Sequence, residues 1–185
     1  MHDTLTGMTE APPLPWPPAP IRTARLLLRE PLPGDRPAIV ELFTSPEVGT
    51  HIGGARPREE FERTLPDVPR GRPGLLVVDL DGAMIGLVTL DPRGPERPGH
   101  LRPEGGEREL GYLFLPHAWG RGYATEAATA ALDWLATALP GEPVVLSTRT
   151  ANTPSLRVAR RLGFTEVERF HEYGAEQWFG VRHPH

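Results

Sequence analysis

Residues 113–127 read LFLPHAWGRGYATEA, Leu113 through Ala127, and the fold turns on this stretch. An apolar run ends at Leu115-Pro116, a short loop follows, and Gly120-Arg121-Gly122 feeds straight into a helical pattern. Two glycines separated by one residue let the backbone turn tightly and lie close to a ligand. The first N–H groups of a helix have no partners within it, and the helix dipole makes that end electropositive. Together these features describe a cradle for a diphosphate, to which Arg121 can add a cation. Two better-known nucleotide readings fail. A dinucleotide fingerprint needs a third glycine where Thr125 stands, after the first strand of a βαβ unit. A P-loop needs Lys-Ser or Lys-Thr after its glycines, and neither is present.

Working outward, the helix that starts at Tyr123 carries Ala127, Ala128, Ala131, Leu132, Leu135 and Leu139 at spacings of three and four, and Pro140-Gly141 ends it. RELGYLFLP before it and VVLSTRT after it read as buried strands. Pro154 to Leu162 reads as a short helix stopped by Gly163. FTEVERF and QWFGV close the chain as strands. Upstream, LLVVDLDGAMIGLVTL is two apolar runs joined by Asp81-Gly82, the strongest short hairpin signal. ARLLLRE reads as a strand ending at Pro31, and Asp35 as the N-cap of a helix that stops before Pro46. SPEVGTHIGGARP is a loop leading to a charged helix around residues 59–65. DPRGPERPGHLRPEGGE, rich in Pro and Gly, is expected to be a long exposed loop. The order implies a mixed α/β (α+β) sheet with helices on both faces.

Residues 1–20 are dominated by proline and small residues, so they are expected to form a disordered tail, with 21–185 as one domain. PPLPWPPAP within it could serve as a polyproline ligand for a partner. The chain of 185 residues carries a net charge of −4, which argues against nucleic acid as the main partner. No apolar run reaches the roughly 20 residues needed to span a bilayer, and the opening lacks the pattern of a secretory signal, so a cytoplasmic location is expected. The chain has no cysteine, which removes thiol nucleophiles and cysteine-based zinc sites. The seven histidines show no paired metal spacing, so no metal is expected.

Trp119-Gly120-Arg121-Gly122-Tyr123-Ala124 is similar to the Gln/Arg-x-x-Gly-x-Gly/Ala signature of the GNAT superfamily of N-acetyltransferases. Trp119 departs from the first position but follows the WGxGYATEA form of the branch containing the ribosomal-protein N-terminal acetyltransferases. IRTARLLLRE near the start and NTPSLRVARRLGF near the end resemble the same branch, in the same order. The resemblance implies a mostly antiparallel sheet whose strands RELGYLFLP and VVLSTRT splay apart to admit coenzyme A. It implies that backbone groups of Trp119, Gly120, Arg121, Gly122, Tyr123, Ala124 and Thr125 hold the pyrophosphate, and that main-chain groups of Phe114 and Leu115 pair with the pantetheine. Asn152 would bond the pantetheine arm and Ser155 would lie near the thioester sulfur; alternatively both simply cap the short helix.

The implied activity is transfer of acetyl from acetyl-CoA directly to an amine of a small molecule or a protein N-terminus, with a homodimer left open. A non-catalytic coenzyme A sensor, or a module recruiting partners through the tail, is the competing reading. An amine attacks a thioester well only when neutral, so a base and a donor for the departing thiolate are sought. The resemblance puts Glu109 first as base, with Glu172 and Glu176 as rivals, and Tyr173 and Ser155 compete as donors. His51, His117 and His171 are expected on the surface, near the acceptor at most.

Overall fold

The computed structural model describes residues 13–184. Its eight strands are β1 (Ile21–Arg22), β2 (Leu27–Arg29), β3 (Leu75–Leu80), β4 (Ala83–Pro92), β5 (Arg108–Phe114), β6 (Val144–Arg149), β7 (Thr165–Glu172) and β8 (Ala175–Arg182). They form one sheet in the order β1-β2-β3-β4-β5-β6-β8-β7, antiparallel except between β5 and β6. Alternation along the strands splits the core in two. Leu76, Val78, Leu110 and Phe114 face α4 (Tyr123–Ala138) and α5 (Thr153–Arg161). Val77, Leu87 and Leu115 face α1 (Arg36–Thr44) and α3 (Arg58–Thr64). Helices therefore cover both faces, as expected. The Asp81-Gly82 hairpin is present, with φ of 53° and 87° at the two turn residues.

Three local expectations are corrected. Asp35 precedes α1 but makes no side-chain cap. Its carboxylate instead accepts the Leu32 N–H (2.7 Å) and pairs with Arg29, which also holds Asp79. A buried ion pair outcompetes the cap. Within SPEVGTHIGGARP, Ser45 caps a one-turn helix, α2 (Pro46–Gly49). The 91–107 stretch is not a solvated loop. Arg93 and Glu107 are fully buried. The Glu107 carboxylate accepts the Leu101 and Arg102 N–H groups (2.6 and 2.8 Å) and meets the His100 ring (3.0 Å). Proline and glycine shape this loop, but buried charge holds it in place.

Of the proline-rich segment, residues 1–12 lie outside the described residues. Leu14 and Trp16 pack on the core, and Trp16 meets the Trp134 ring edge-on at 6.0 Å between centroids. An indole on an apolar helix gains burial that the prolines alone could not. No helix among the described residues is long and apolar enough to cross a membrane.

Candidate active site

The parallel ladder between β5 and β6 holds only two pairs, Arg108 with Val144 and Glu109 with Val145, before the strands separate. On its other edge β5 is fully paired with β4. The Leu115 N–H donates to the Ile85 carbonyl (2.9 Å), and antiparallel bonding alternates, so Leu113 and Leu115 are joined to β4. The main-chain groups of Tyr112 and Phe114 consequently face the gap. Leu115, expected to offer its backbone to a ligand, has spent its N–H on β4. Tyr112 is the residue that sequence reasoning missed, although the alternation of a strand points to it once the sheet order is known.

At the open end of the gap lies the Trp119–Thr125 turn. Gly120 and Gly122 adopt left-handed φ of 72° and 80°, and Gly122 is the N-cap of α4. The first helical bond runs from the Glu126 N–H to the Gly122 carbonyl (3.1 Å), so the N–H groups of Tyr123, Ala124 and Thr125 precede the helical ladder. Trp119 turns its indole N–H onto the Phe114 carbonyl (2.8 Å) and so staples the turn to the end of β5. The turn is braced from below by the N-terminal segment. Glu126 accepts from Thr23 Oγ1 (2.6 Å), from the Arg25 N–H (2.9 Å) and from Arg25 Nε (2.7 Å), while Arg25 Nη1 donates to the Arg121 carbonyl (2.9 Å). Arg25 also lies over the Tyr123 ring at 4.5 Å. These contacts explain why TAR near the start and Glu126 belong to one device.

A cleft of about 1300 Å³ runs through the gap, past Gly120 and Gly122–Thr125, Asn152 and Ser155 on one side, and past α1, α2 and the β7–β8 turn on the other. The Arg121 side chain does not line it. Asn152 Oδ1 caps α5 by accepting the Ser155 N–H (3.2 Å). Ser155 Oγ hydrogen-bonds the Tyr112 hydroxyl at 2.7 Å. Burial pushes the Tyr112 phenol above its ordinary range, and the Ser155 bond offsets this only in part, so the phenol keeps its proton at neutral pH. Among the described residues the lining includes Arg70, Arg72, Arg97, Arg149, Arg157 and Arg161 but only Glu47 and Glu172. In a chain of net charge −4 the cleft has inverted polarity. Arg157 and Arg161, four apart on exposed α5 and therefore on one face, were not singled out from sequence.

The carboxylates expected to act as bases are all engaged. Glu109 Oε1 meets Arg93 Nη1 (2.6 Å) and accepts from Ser147 Oγ (2.5 Å), and Oε2 meets Arg97 Nη1 (2.7 Å). Arg93 also donates to the Gly99 carbonyl (2.7 Å) and to the Pro98 carbonyl. Glu172 takes Arg97 in a two-point pair at 2.9 Å on each oxygen, and that guanidinium holds its carboxyl below the usual range. Glu176 is exposed at the start of β8, 3.8 Å from Arg169. Tyr173 occupies the β7–β8 turn with φ of 51° and is 70% exposed, under the Arg97 guanidinium at 5.8 Å. The structure thus unites Glu109, Glu172 and Tyr173 through Arg97, and separately unites Tyr112 with Ser155. His51 lines the cleft, whereas His117 lies in a smaller recess beside Leu115 and His171 on the outer strand. No group of metal-ligating side chains occurs among the described residues.

An α/β sheet opened along one parallel seam, with a helix N-terminus at the mouth of the opening, defines a class of proteins built to seat an extended, phosphate-bearing ligand. The acetyltransferase (GNAT) domain family matches residues 25–165, and the chain belongs to that family. It is an N-acetyltransferase that uses acetyl-CoA. The fold is similar to a GNAT-family acetyltransferase from Bacillus anthracis (TM-score 0.72, 22% identity, covering 89% of this chain and 98% of that one). An acetyltransferase from Agrobacterium tumefaciens str. C58 gives a TM-score of 0.66 at 28% identity, covering 92% and 98%. RimL, a ribosomal L7/L12 alpha-N-protein acetyltransferase in complex with coenzyme A, gives 0.66 at 16% identity, covering 89% and 98%. The residues present fit coenzyme A. The outward-facing backbone of Tyr112 and Phe114 suits an amide-bearing arm, the amides of residues 123–125 suit a diphosphate, and Arg157 with Arg161 suit a further phosphate.

Proposed function

We propose that the chain moves an acetyl group from acetyl-CoA directly onto a primary amine of a small molecule or a protein N-terminus. In the reaction a C–N bond forms, the thioester C–S bond breaks, and the proton lost by nitrogen balances the one gained by the departing thiolate. The observation that carries this reading is the interrupted β5–β6 ladder, which leaves a backbone edge facing a turn rich in free amides. Main-chain groups of Tyr112 and Phe114 hold the pantetheine arm. Backbone groups from Gly120 to Thr125 hold the diphosphate. Asn152 keeps its Oδ1 on α5 and has its amide nitrogen to offer to the arm.

Ser155, backed by Tyr112, supplies the thiolate proton, because the two hydroxyls form a pair whose phenol remains protonated. Glu109 and Glu172 serve as structure and charge balance, not as bases, since accepting a proton would dismantle their arginine pairs. The neutral fraction of the amine is then the attacking species. Thiol release from acetyl-CoA across a panel of amines tests the function. Binding of acetyl-CoA without release on any amine would instead support the sensor reading. Within an active enzyme, Tyr112→Phe should lower kcat roughly 10- to 100-fold with little change in the KM for acetyl-CoA. An unchanged kcat removes the pair from the chemistry.

A further inference from the structure

The half of the cleft away from the coenzyme is bounded by α1, α2 and the β7–β8 turn; Arg70 there is exposed, and one half-buried cation is held without a carboxylate. Arg97 is compensated by Glu109 and Glu172, and Arg72 by Asp91. Arg149, half-buried at the end of β6, donates only to backbone carbonyls: Thr50 O at 3.2 Å and Tyr173 O at 3.5 Å. No carboxylate among the described residues pairs with it. Carbonyls orient a guanidinium without neutralising it, and two of its five N–H groups suffice for these bonds. The two carbonyls come from the end of α2 and from the β7–β8 turn, so the guanidinium ties these parts of the cleft wall together with donors to spare.

Its placement keeps it apart from the coenzyme phosphates. Side chains on a strand alternate, so Arg149 shares the face of Ser147, the residue bonded to Glu109. Leu146, on the other face, packs with α4. Arg149 therefore stands about 6.6 Å beyond Ser147 along β6, on the acceptor side and past the point where β5 and β6 part. A polycationic acceptor entering here meets an uncompensated positive charge; of the two lining carboxylates, Glu172 is already committed to Arg97 and Glu47 accepts from Ser45 Oγ (2.8 Å). Much of the remaining wall is apolar, with Phe43, Val48 and Ile52 among its residues beside His51 and Arg70.

We infer that the acceptor is a small amine bearing its own carboxylate, of the free amino acid type, and that Arg149 is the residue that binds this carboxylate. The inference rests on the acetyltransferase reading above and specifies its substrate class. A bidentate guanidinium–carboxylate contact also fixes the direction from which the amine approaches.

The test is thiol release from acetyl-CoA with matched pairs, leucine against leucinamide and phenylalanine against phenylalaninamide, together with a short peptide having a neutral second residue. Amidation lowers the amine pKa and so raises the neutral, reactive fraction, which biases the comparison against the inference. The expected result is a kcat/KM for the amino acid about ten- to a hundredfold above that for its amide. In Arg149→Gln that ratio should collapse towards or below one through a rise in KM, and Arg149→Lys should restore part of it. A merely structural role for Arg149 would depress acid and amide alike and leave the ratio standing. Amides or the peptide matching the free acids in the wild-type chain overturns the substrate class while leaving the acetyltransferase intact. Absence of release with every amine, acetyl-CoA being bound, removes the enzyme reading and this inference together.

Discussion

Replacing Glu109 with Gln separates the structural role of that carboxylate from the catalytic one its sequence position suggests. In the native fold one oxygen serves Arg93 and Ser147 and the other serves Arg97. The Arg93 side chain is 0% exposed and that of Glu109 15%. A glutamine turns one acceptor oxygen into an N–H donor, which must then face a guanidinium, and it strips the charge from both contacts. Removing one partner of a buried pair costs about 3–5 kcal/mol. Arg93 keeps the carbonyls of Gly99 and Pro98, so the lower end, about 3 kcal/mol, is expected. For a chain of this length that corresponds to a fall in Tm of roughly 6–12 °C. Circular dichroism melts give the Tm, and the pH profile of kcat below the melting range gives the chemistry. The slope of the profile should match that of the wild type, because the carboxylate is not the base. A Tm within about 2 °C of wild type would refute the buried network. If turnover also vanished at neutral pH and returned as pH rose, Glu109 would be the base after all.

Two further outcomes follow from the same geometry. Gly122→Val places a β-branched residue at φ of 80°, a left-handed backbone costing about 1–2 kcal/mol, and its Cβ would come within 3.4 Å of Arg25 Nη2; calorimetric titration should find acetyl-CoA binding lost with the fold retained, and normal binding would displace the diphosphate site from this turn. Glu172, held below the usual carboxylate range by Arg97, gives up its proton in the native state more readily than in the unfolded chain. Its stabilisation is therefore fully present above the unfolded value of about 4.3 and is lost as pH falls through the lower folded value. Urea unfolding of Glu172→Gln should show a shallower decline between roughly pH 5 and 3 than the wild type, and an identical slope would mean that the pair adds nothing.

The parts of the fold that were legible in the sequence were those dictated by local periodicity and turn chemistry. The stripe from Ala127 to Leu135 defined α4, Asp81-Gly82 defined the β3–β4 hairpin, and Gly163 ended α5 because each signal lies within a few residues of its consequence. What escaped was set by contacts distant in sequence. The 91–107 loop looked solvated because its composition is polar, yet Glu107 is buried against N–H groups of its own loop and Arg93 reaches Glu109 on β5 and Ser147 on β6. Asp35 had the right residue type for a cap but a stronger partner in Arg29. Glu109 was singled out as the base, but its two arginines lie 16 and 12 residues upstream in a segment with no recognisable secondary-structure pattern. Tyr112 was invisible as a functional group because its alignment with Ser155 spans 43 residues. Arg149 was not singled out either, because its two carbonyl partners lie 99 and 24 residues away.

The opening between β5 and β6 has an energetic consequence that connects fold to function. A strand within a sheet normally pairs on both edges, and an unpaired main-chain amide shielded from water costs free energy comparable to a lost hydrogen bond. Tyr112 and Phe114 are kept at that disadvantage by β4 on one side and by the divergence of β6 on the other. Trp119 relieves part of it by donating to the Phe114 carbonyl, which leaves the remaining groups for water or a ligand. An amide-bearing arm laid into the gap completes the ladder and exchanges that water for matched bonds. The incomplete sheet thus acts as a preorganised edge whose cost was met during folding by the two hydrophobic layers and the Arg93 and Arg97 networks. Ligand binding should accordingly raise Tm in proportion to RT ln(1 + [L]/Kd). The accompanying gain in amide-exchange protection should be greatest at the β5–β6 gap, where main-chain groups of Tyr112 and Phe114 lack a partner in the sheet.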